Sequence, residues 1–348
     1  MKVAVLTGIG KVELHQADEP KLTDPRDVKL RVETVGVCGS DMHYYRKGRI
    51  GDQVVKFPWT VGHECAATVV EVGPQVTNVR VGDRVAVDPL LVCGQCDQCL
   101  SGRENTCRRQ KFMGCPGQAE GALAEYVIMQ GRCCFRVPDS MSFTQAAAVE
   151  PFTIGLYAQR LAGDVRGKSV AVLGAGPIGL SVLLSLRHAG AGKVYVTDLR
   201  DNRKALAASM GADWVGNPQA QDVVAEIMRG DPLGVQFVFE CAGEQEAIDQ
   251  GVTLLAPGGT LMLAGIPEVD RVSFNISTCR RKELTIQNVR RQNDCIAPAI
   301  DLVASGKVNI DPMVTHHFTM DQTSEAFELV SNYRDNVVKA IIHVTDNE

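Results

Sequence analysis

The sequence predicts an α/β protein of two domains, one rich in β-strands and one built on a doubly wound parallel sheet. Three observations lead to this prediction. A chain of 348 residues exceeds the size of one ordinary hydrophobic core. Between residues 26 and 90, short apolar runs are broken by Gly, Pro and Asp, which is typical of a compact β domain. After residue 151, strand-length apolar runs alternate with amphipathic helical patterns, which is typical of parallel βαβ units.

The strands of the first domain are predicted from apolar runs that end at turn-forming residues. These runs are DVKLRVETVGVCGSD, CAATVVEVGPQV and RVGDRVAVDPL, followed by GALAEYVIM and CCFRVP. Beyond about residue 290, two helical patterns and a last strand follow, namely APAIDLVASG, TSEAFELVSNY and KAIIHV. The adjacent His316 and His317 are interpreted as strand or loop residues without a ligand role.

The second domain is predicted from three pairs of a strand and the helix that follows it. The pairs are KSVAVLGAG with PIGLSVLLSLRHAG, KVYVTD with LRDNRKALAASMG, and VQFVFECAG with EQEAIDQGVTLLAPGG. GGTLMLAGIP and ELTIQNV supply further strands. This alternation predicts a parallel sheet with helices on its faces.

Composition and charge exclude several classes of function. The net charge of -5 argues against a large phosphate-binding surface, so no nucleic-acid partner is expected. No segment approaches the roughly 18 uninterrupted apolar residues of a membrane span, and the N-terminal MKVAVLTGIGKVELHQ is a poor match to a signal peptide. We therefore expect a cytoplasmic protein with no membrane partner, whose 12 cysteines serve as thiols or metal ligands and not as disulfides.

A glycine-rich turn opens the second domain and predicts a dinucleotide site. Gly174, Gly176 and Gly179 form GxGxxG directly after an apolar strand, and Pro177 and Ile178 of the same motif begin an apolar helix. Such glycines permit a tight turn, close approach to a pyrophosphate and close packing of helix on strand. A glycine turn that binds no nucleotide is the alternative.

Asp198 ends the next predicted strand, where a carboxylate would accept a hydrogen bond from the 2′-hydroxyl of a ribose. The carboxylate would also repel a 2′-phosphate, so NAD is favoured over NADP as the cofactor. Arg200 and Arg203, just downstream, could accommodate that phosphate if Asp198 pointed elsewhere.

Four cysteines within 15 residues form a second strong pattern. Cys93, Cys96, Cys99 and Cys107 have the spacing Cys-x2-Cys-x2-Cys-x7-Cys. They could hold a metal, form disulfides or belong to a nucleic-acid-binding zinc module. The acidic chain and its reduced cysteines favour the metal.

Cys38, His63 and Glu64 are candidates for a different kind of metal site. A thiolate, an imidazole and a carboxylate leave one position of a tetrahedral zinc ion open, as catalysis requires. The spacing alone does not decide whether Glu64 binds the metal, orients a ligand or caps a turn.

Taken together, the chain resembles the zinc-dependent medium-chain dehydrogenases, most closely their sorbitol (polyol) dehydrogenase branch. The resemblance rests on an ordered series of motifs: GVCGSDMHYYRKGRIG, VGHECAATVVEVG, VGDRVAVDP, the four-cysteine segment, EPFTIGLYA, VLGAGPIGL and VTDLRDNR. It implies a GroES-like catalytic domain of residues 1–152 and 290–348, which carries a structural zinc lobe at 93–107. It also implies a Rossmann domain of residues 153–289 between the two parts.

The resemblance also implies roles for individual residues. Cys38, His63 and Glu64 match catalytic-zinc residues, and Glu150 matches a second carboxylate that contacts the metal or its water. Further matches are the substrate-side hydroxyls of Ser40 and Tyr44, an arginine near the substrate at Arg291, and a structural zinc held by Cys93, Cys96, Cys99 and Cys107. Gln292 stands where the polyol branch tends to have Tyr, which puts the substrate contacts on that wall in doubt.

The implied activity is NAD-dependent oxidation of a secondary hydroxyl of a polyol to a ketose, with one catalytic and one structural zinc per chain. The alternatives are dehydrogenases of a sugar acid, butanediol, threonine, a simple alcohol or an aldose. Arg46, Lys47, Arg49 or Arg291 could bind the carboxylate of a sugar acid. From a different class, a non-catalytic NAD-binding protein is the remote alternative. The resemblance favours a homo-oligomer, with a tetramer preferred over a dimer.

Overall fold

The structure is a computed structural model, and it describes residues 1–345. The strands are β1 Lys2–Gly8, β2 Lys11–Gln16, β3 Asp27–Gly36, β4 Arg49–Ile50, β5 Gln53–Val54, β6 Glu64–Val72, β7 Arg84–Val87, β8 Leu90–Leu91, β9 Lys111–Phe112, β10 Tyr126–Gln130, β11 Cys134–Arg136, β12 Val170–Leu173, β13 Val194–Thr197, β14 Trp214–Gly216, β15 Val235–Glu240, β16 Leu255–Leu263, β17 Thr285–Asn288, β18 Val314–Thr319 and β19 Lys339–His343. The α-helices are α1 Gly39–Lys47, α2 Asp97–Leu100, α3 Phe143–Ala162, α4 Pro177–His188, α5 Asp201–Ser209, α6 Val223–Gly230, α7 Gln245–Leu254, α8 Ile276–Lys282, α9 Ile296–Ala304 and α10 Thr323–Ser331.

The chain divides into two compact units. The first comprises residues 1–150, 296–306 and 314–348, and the second comprises residues 151–295 and 307–313. The structure therefore groups residues 151–152, 290–295 and 307–313 with the second unit, although the sequence analysis placed them with the first. The boundary at residue 150 falls inside α3, whose 20 residues continue through Pro151.

The first unit is built on a seven-stranded sheet in the order β11-β7-β6-β3-β19-β18, with β10 also paired to β3. Most neighbours are antiparallel, but β18 and β19 run parallel. Strand β3 is buried along its second half because it has neighbours on both sides and core residues on its faces. The last strand β19 thereby joins the centre of a sheet that begins near the N-terminus.

The second unit contains a six-stranded parallel sheet in the order β14-β13-β12-β15-β16-β17. The chain starts at β12, proceeds outward through β13 and β14, then returns to the other side of β12 at β15. This reversal creates a switch point at the carboxyl ends of β12 and β15, where open α/β sheets bind ligands. The predicted combination of a β-rich domain and a doubly wound sheet is confirmed.

Some elements differ from the sequence prediction. The N-terminal strands β1 and β2 form an antiparallel hairpin that the sequence analysis did not predict. Strand β16 begins at Leu255 and includes the Leu-Ala-Pro-Gly-Gly segment, which the sequence analysis placed at the end of the preceding helical pattern. Within residues 1–345, none of the helices combines the length and the apolar character needed to cross a bilayer.

Candidate metal and dinucleotide sites

The first candidate metal site lies where β3 and β6 meet. Gly36 at the end of β3 pairs with Glu64 at the start of β6. A Cβ atom on Gly36 would lie 2.1 Å from Glu64 Oε2, so only glycine leaves room for this carboxylate. Cys38 follows Gly36 by two residues, and His63 precedes Glu64. The pairing of the two strands therefore brings together residues from distant segments.

The potential ligand atoms of Cys38, His63 and Glu64 all lie within 4.8 Å of one another. Cys38 is half-buried, whereas His63 and Glu64 are buried. One thiolate, one imidazole and one carboxylate at this separation fit a zinc ion with a position left for another ligand. The structure thus brings together the three residues predicted from the sequence.

Asp41, which the sequence analysis did not select, connects the segments that carry Cys38 and His63. Its carboxylate accepts hydrogen bonds from Cys38 N at 3.0 Å and from Gly62 N at 3.3 Å. Asp41 Oδ1 also lies 3.6 Å from His63 Nδ1. A carboxylate behind a ligand imidazole fixes the ring orientation and the tautomer. The signal in the sequence was an acidic residue in the first turn of α1, three residues after Cys38.

Lys339 is the second residue that the sequence analysis missed. Its Nζ atom lies 2.7 Å from each carboxylate oxygen of Glu64 and donates a further hydrogen bond to Val37 O at 3.0 Å. Both side chains of the pair are almost fully buried. Burial alone would lower the pKa of Lys339, but the negative charges of Glu64, Cys38 and Glu150 and the hydrogen bond to Glu64 together offset this and leave the pKa above its usual value. The only signal was a lysine at the start of the apolar strand KAIIHV.

Glu150 in α3 is buried and close enough to the site to interact with its charges, but it is not part of the 4.8 Å cluster. Burial is the main reason that its pKa rises to about 7, and the negative charge of Glu64 adds to this effect. The positive charges of His63 and Lys339 oppose it. A carboxyl group with this pKa can both hold and release a proton near neutral pH.

The charged groups around His63 favour its protonated form. Burial alone lowers the pKa of the His63 imidazole, but Cys38 and Asp41 hold that pKa well above its usual value. A metal that binds His63 must displace this proton, because only neutral imidazole is a ligand.

Two further residues of the first unit carry hydroxyl groups on α1. Ser40 is half-buried and lies two residues after Cys38. Tyr44 is buried, and its hydroxyl donates to Gln53 Oε1 at 3.0 Å and lies 3.7 Å from Cys115 Sγ. Arg291 belongs to the second unit, where it is half-buried with a left-handed φ of 53°.

The four cysteines of residues 93–107 form a compact cluster. The sulfur atoms of Cys93 and Cys107, and of Cys96 and Cys99, are 3.5 Å apart, while the Cys96–Cys107 and Cys93–Cys99 distances are 3.9 and 4.0 Å. Four thiolates about 2.3 Å from a shared tetrahedral zinc ion would lie about 3.8 Å apart. All four are free thiols, so the residues fit a closed zinc site and not a pair of disulfides.

Backbone N–H groups already stabilise negative charge in this cluster. Cys107 Sγ accepts from Cys93 N at 3.3 Å and from Arg109 N at 3.4 Å. A backbone hydrogen bond from Gln95 is the main cause that lowers the pKa of Cys93 to about 6. Burial raises the pKa of Cys99 to about 12. Backbone donors therefore favour the thiolate form of Cys93, burial opposes it at Cys99, and a bound cation would favour four thiolates.

The glycine-rich turn lies at the switch point of the parallel sheet. Gly174 follows β12 with φ of 100°, a left-handed conformation that favours glycine. A Cβ atom on Gly179 would lie 1.8 Å from Gly174 O, so α4 can pack this closely only on a glycine. At Gly176 the nearest atom to such a Cβ is Arg203 Nη1 at 3.5 Å, which leaves the backbone open. Pro177 and Ile178 form the first turn of α4.

Asp198 follows β13 and faces this turn. Its carboxylate accepts hydrogen bonds from Ala175 N at 2.8 Å and Arg200 N at 2.9 Å. Arg203 Nη1 lies 3.9 Å from Asp198 Oδ2. The structure therefore brings Asp198 and Arg203 to the turn and ties the acidic side chain to its backbone.

Comparison with known proteins decides the family. Residues 24–139 match the alcohol dehydrogenase GroES-like domain, and residues 177–305 match the zinc-binding dehydrogenase domain. The chain is 34% identical over 344 residues to the sorbitol dehydrogenase of Bacillus subtilis (strain 168), covering 99% of this chain and 97% of that protein. This chain belongs to the zinc-binding dehydrogenases. It is accordingly an oxidoreductase of the sorbitol dehydrogenase branch.

Two other relatives show the breadth of this family. The L-idonate 5-dehydrogenase of Vitis vinifera is 34% identical over 348 residues, which cover 98% of this chain and 94% of that protein. A crystal structure described as a zinc-binding dehydrogenase of Sinorhizobium meliloti 1021 bound to NADP has a TM-score of 0.89 and 31% identity, and 98% of each chain is covered. The zinc-binding dehydrogenases that resemble this chain therefore differ in substrate and include one with bound NADP.

Proposed function

We propose that this zinc-binding dehydrogenase oxidises a secondary hydroxyl group of a polyol to a ketone, with transfer of a hydride to NAD. The observation that carries the proposal is the cluster of Cys38, His63 and Glu64 beside the buried acid Glu150. The overall reaction converts the alcohol and NAD⁺ into the ketone, NADH and one proton. The named activity of the relative from Bacillus subtilis supports a polyol as substrate.

Bound zinc would supply the positive charge that lowers the pKa of the substrate hydroxyl, and the bound nicotinamide would accept the hydride. Cys38, His63 and Glu64 would hold the metal. Asp41 orients the His63 ring from behind. Lys339 balances part of the negative charge that a thiolate and a carboxylate bring into a buried site.

Glu150 is the residue best suited to accept the released proton. Its pKa of about 7 lets it take up a proton from the site and pass it on near neutral pH. Ser40 lies on the same segment as Cys38 and could relay the proton as a hydroxyl. The hydroxyl of Tyr44 already donates to Gln53, so we assign Tyr44 to shaping the substrate side of α1. Arg291 stays a proposed substrate contact on the resemblance alone.

A neutral polyol is favoured over a sugar acid by the contacts of Arg46 and Arg49, two of the candidate carboxylate-binding residues, and of Lys339 at the candidate metal site. The Arg46 guanidinium lies over the Tyr333 ring, 5.9 Å from its centroid. Arg49 Nε donates to Gly51 O at 3.0 Å on the surface. Lys339, the cation bound to Glu64, already has a carboxylate partner. The relative that is an L-idonate dehydrogenase keeps sugar acids as the second candidate class.

NAD is the proposed cofactor, held by the turn from Gly174 to Gly179. Asp198 supports NAD over NADP because a second negative group at the ribose would meet its carboxylate at close range. Arg203 beside Asp198 would then contact the ribose or the pyrophosphate.

The second proposed metal is a structural zinc ion in the four-cysteine lobe. Four thiolates leave no open coordination position, so such a site stabilises its loop and takes no part in the reaction. We further propose a cytoplasmic homo-oligomer, with a tetramer favoured over a dimer. The 12 free cysteines support a reducing compartment, and size-exclusion chromatography with light scattering tests the assembly.

The test is NADH formation, followed by absorbance, from a panel of sorbitol, xylitol, arabitols, butanediol, threonine and aldonates, each with NAD and with NADP. Zinc per chain is measured in parallel by mass spectrometry. Turnover of polyols with NAD and two zinc ions per chain would support the proposal. Activity on aldonates alone would move the substrate to sugar acids.

Cys38→Ala should abolish turnover while NADH binding, followed by fluorescence, stays close to that of the wild type. Cys279→Ala is the control variant, because Cys279 is a buried thiol of the second unit that belongs to neither candidate metal site. Retained turnover in Cys38→Ala would contradict the proposed metal site.

A further inference from the structure

Two histidines of the first unit meet outside the sites described above. His317 lies on β18 and His343 on the neighbouring parallel strand β19. His317 Nδ1 and His343 Nε2 are 2.8 Å apart, and the ring centroids are separated by 5.1 Å with an interplanar angle of 21°. His317 is exposed and His343 half-buried.

The strand register places both histidines on the same face of the sheet. Thr319 is the partner of His343, and His317 precedes Thr319 by two residues on the same strand. Because side chains alternate between the two faces, His317 and His343 are diagonal neighbours on one face. His316 points to the opposite face, where its ring contacts Phe318 and its Nε2 atom lies 3.2 Å from Asp335 Oδ2. The backbone therefore fixes the pairing. Because the two facing nitrogens point at each other, both rings must turn for their lone pairs to meet at one ion.

We propose that His317 and His343 form a surface binding site for a divalent transition-metal ion, Cu²⁺ or Ni²⁺. Imidazole nitrogen is a preferred ligand of these ions. Water would occupy the remaining coordination positions, because His317 faces the solvent.

The distance between the two nitrogens indicates which metals fit. Two nitrogens about 2.1 Å from a shared ion and 2.8 Å apart subtend an angle of about 84° at that ion. If the rings turn with this separation kept, the angle is close to the 90° between neighbouring ligands of a square-planar or octahedral centre, as in Cu²⁺ and Ni²⁺ sites. A tetrahedral zinc ion would need the nitrogens to separate to about 3.4 Å. The site is therefore distinct in chemistry from the two proposed zinc sites.

Metal binding requires a change of tautomer but no loss of protons from neutral rings. One of the two facing nitrogens now carries the hydrogen that joins them. With a metal between the rings, that hydrogen moves to the other nitrogen of its own ring, so that both facing nitrogens present lone pairs. The rings must be neutral, so the test is made at pH 8, well above the usual histidine pKa of about 6.5.

The test is calorimetric titration of the untagged, zinc-loaded protein with Ni²⁺. We expect one additional Ni²⁺ per chain, with the zinc content unchanged by mass spectrometry. His317→Ala and His343→Ala should each weaken this binding at least about tenfold, because the second ligand of a chelating pair binds at a high effective concentration. His316→Ala, on the same strand but the other face, should bind Ni²⁺ as the wild type does.

His317→Ala is the decisive variant, because the exposed His317 side chain can be removed without disturbing the core. Unchanged thermal unfolding verifies that this variant is folded. Equal Ni²⁺ affinity of His317→Ala and the wild type would overturn the proposal, as would equal weakening by His316→Ala. Loss of zinc during the titration, in the same proportion as Ni²⁺ uptake, would assign the binding to the zinc sites and also overturn it.

Discussion

The buried ion pair of Lys339 and Glu64 makes a quantitative prediction about stability. The Lys339 ammonium donates to both carboxylate oxygens of Glu64 and to Val37 O, so all three of its hydrogens have an acceptor. Lys339→Met retains most of the side-chain volume but removes the charge and the donors. Glu64 would then remain as a buried carboxylate without its cation.

The expected cost follows from the burial of both partners. Their side chains are 3% and 1% exposed, so water cannot replace the lost ammonium. Removing one member of such a pair costs about 3–5 kcal/mol of the free energy of unfolding. With a urea dependence of about 2 kcal/mol per molar, the unfolding midpoint should fall by roughly 2 M.

Tryptophan fluorescence can report the unfolding of the first unit alone. The chain has two tryptophans, Trp59 in the first unit and Trp214 in the second. In a Trp214→Phe background, urea unfolding followed at Trp59 compares Lys339→Met with its parent after zinc is removed from both by a chelator, since a bound metal would itself neutralise Glu64 and shift apparent stability.

Two further variants make the comparison specific. Lys29→Met removes an ammonium that also lies 2.7 Å from a carboxylate, that of Glu19, but Glu19 is exposed, so we expect little change in the midpoint. Adding Glu64→Gln to Lys339→Met removes the uncompensated charge and should recover most of the loss. A loss below about 1 kcal/mol in Lys339→Met, or no recovery in the double variant, would refute the reasoning.

Three other predictions concern the cofactor turn and the cysteine lobe. Asp198→Ala should raise the ratio of kcat/KM with NADP to kcat/KM with NAD at least about tenfold, because it removes the carboxylate that would repel the 2′-phosphate of NADP. An unchanged ratio would contradict this role of Asp198. Gly179→Ala should lower the free energy of unfolding of the second unit by about 1–3 kcal/mol and weaken NADH binding, because the alanine methyl group would overlap Gly174 O. An NADH affinity equal to that of the wild type would argue against this close packing. After zinc is removed by a chelator, Cys93 should react with iodoacetamide at pH 7 and lose reactivity as the pH falls below its pKa of about 6. Cys134 should stay unmodified, because burial raises its pKa to about 12. Peptide mass spectrometry measures the modification of both.

The parts predicted well from the sequence are those formed by short segments. The spacing of Cys93 to Cys107 allows one loop to bring four sulfurs together, and the glycines of residues 174–179 are required by a single turn between β12 and α4. The alternation of strands and helices after residue 151 predicted the parallel sheet for the same reason. In each case the residues that interact are close in the chain, so their spacing already limits the geometry.

The hairpin of β1 and β2 and the extent of β16 were missed for a different reason. Val3, Ala4, Leu6 and Val12 pack into the core of the first unit, but their pattern is short and lies beside a glycine turn. In β16, the Pro-Gly-Gly segment resembles a turn by composition, and it lies where the pairing with β15 shifts register. The strand continues because Leu255 pairs with Val235 before this segment and Thr260 pairs with Phe237 after it. Tertiary pairing overrode local preference at both places.

The sequence by itself determined the two-domain α/β class, the four-cysteine cluster, the glycine-rich turn after β12 and the candidate metal residues Cys38, His63 and Glu64. Only the tertiary structure showed that Asp41 stands behind His63, that Lys339 binds Glu64 from 275 positions away, and that His317 meets His343. The physical reason is that the last two contacts depend on strand register, and that the first depends on how α1 lies beside the segment that precedes β6. A register shift of one residue would turn Lys339 or His343 to the other face of the sheet, and no local pattern specifies that register.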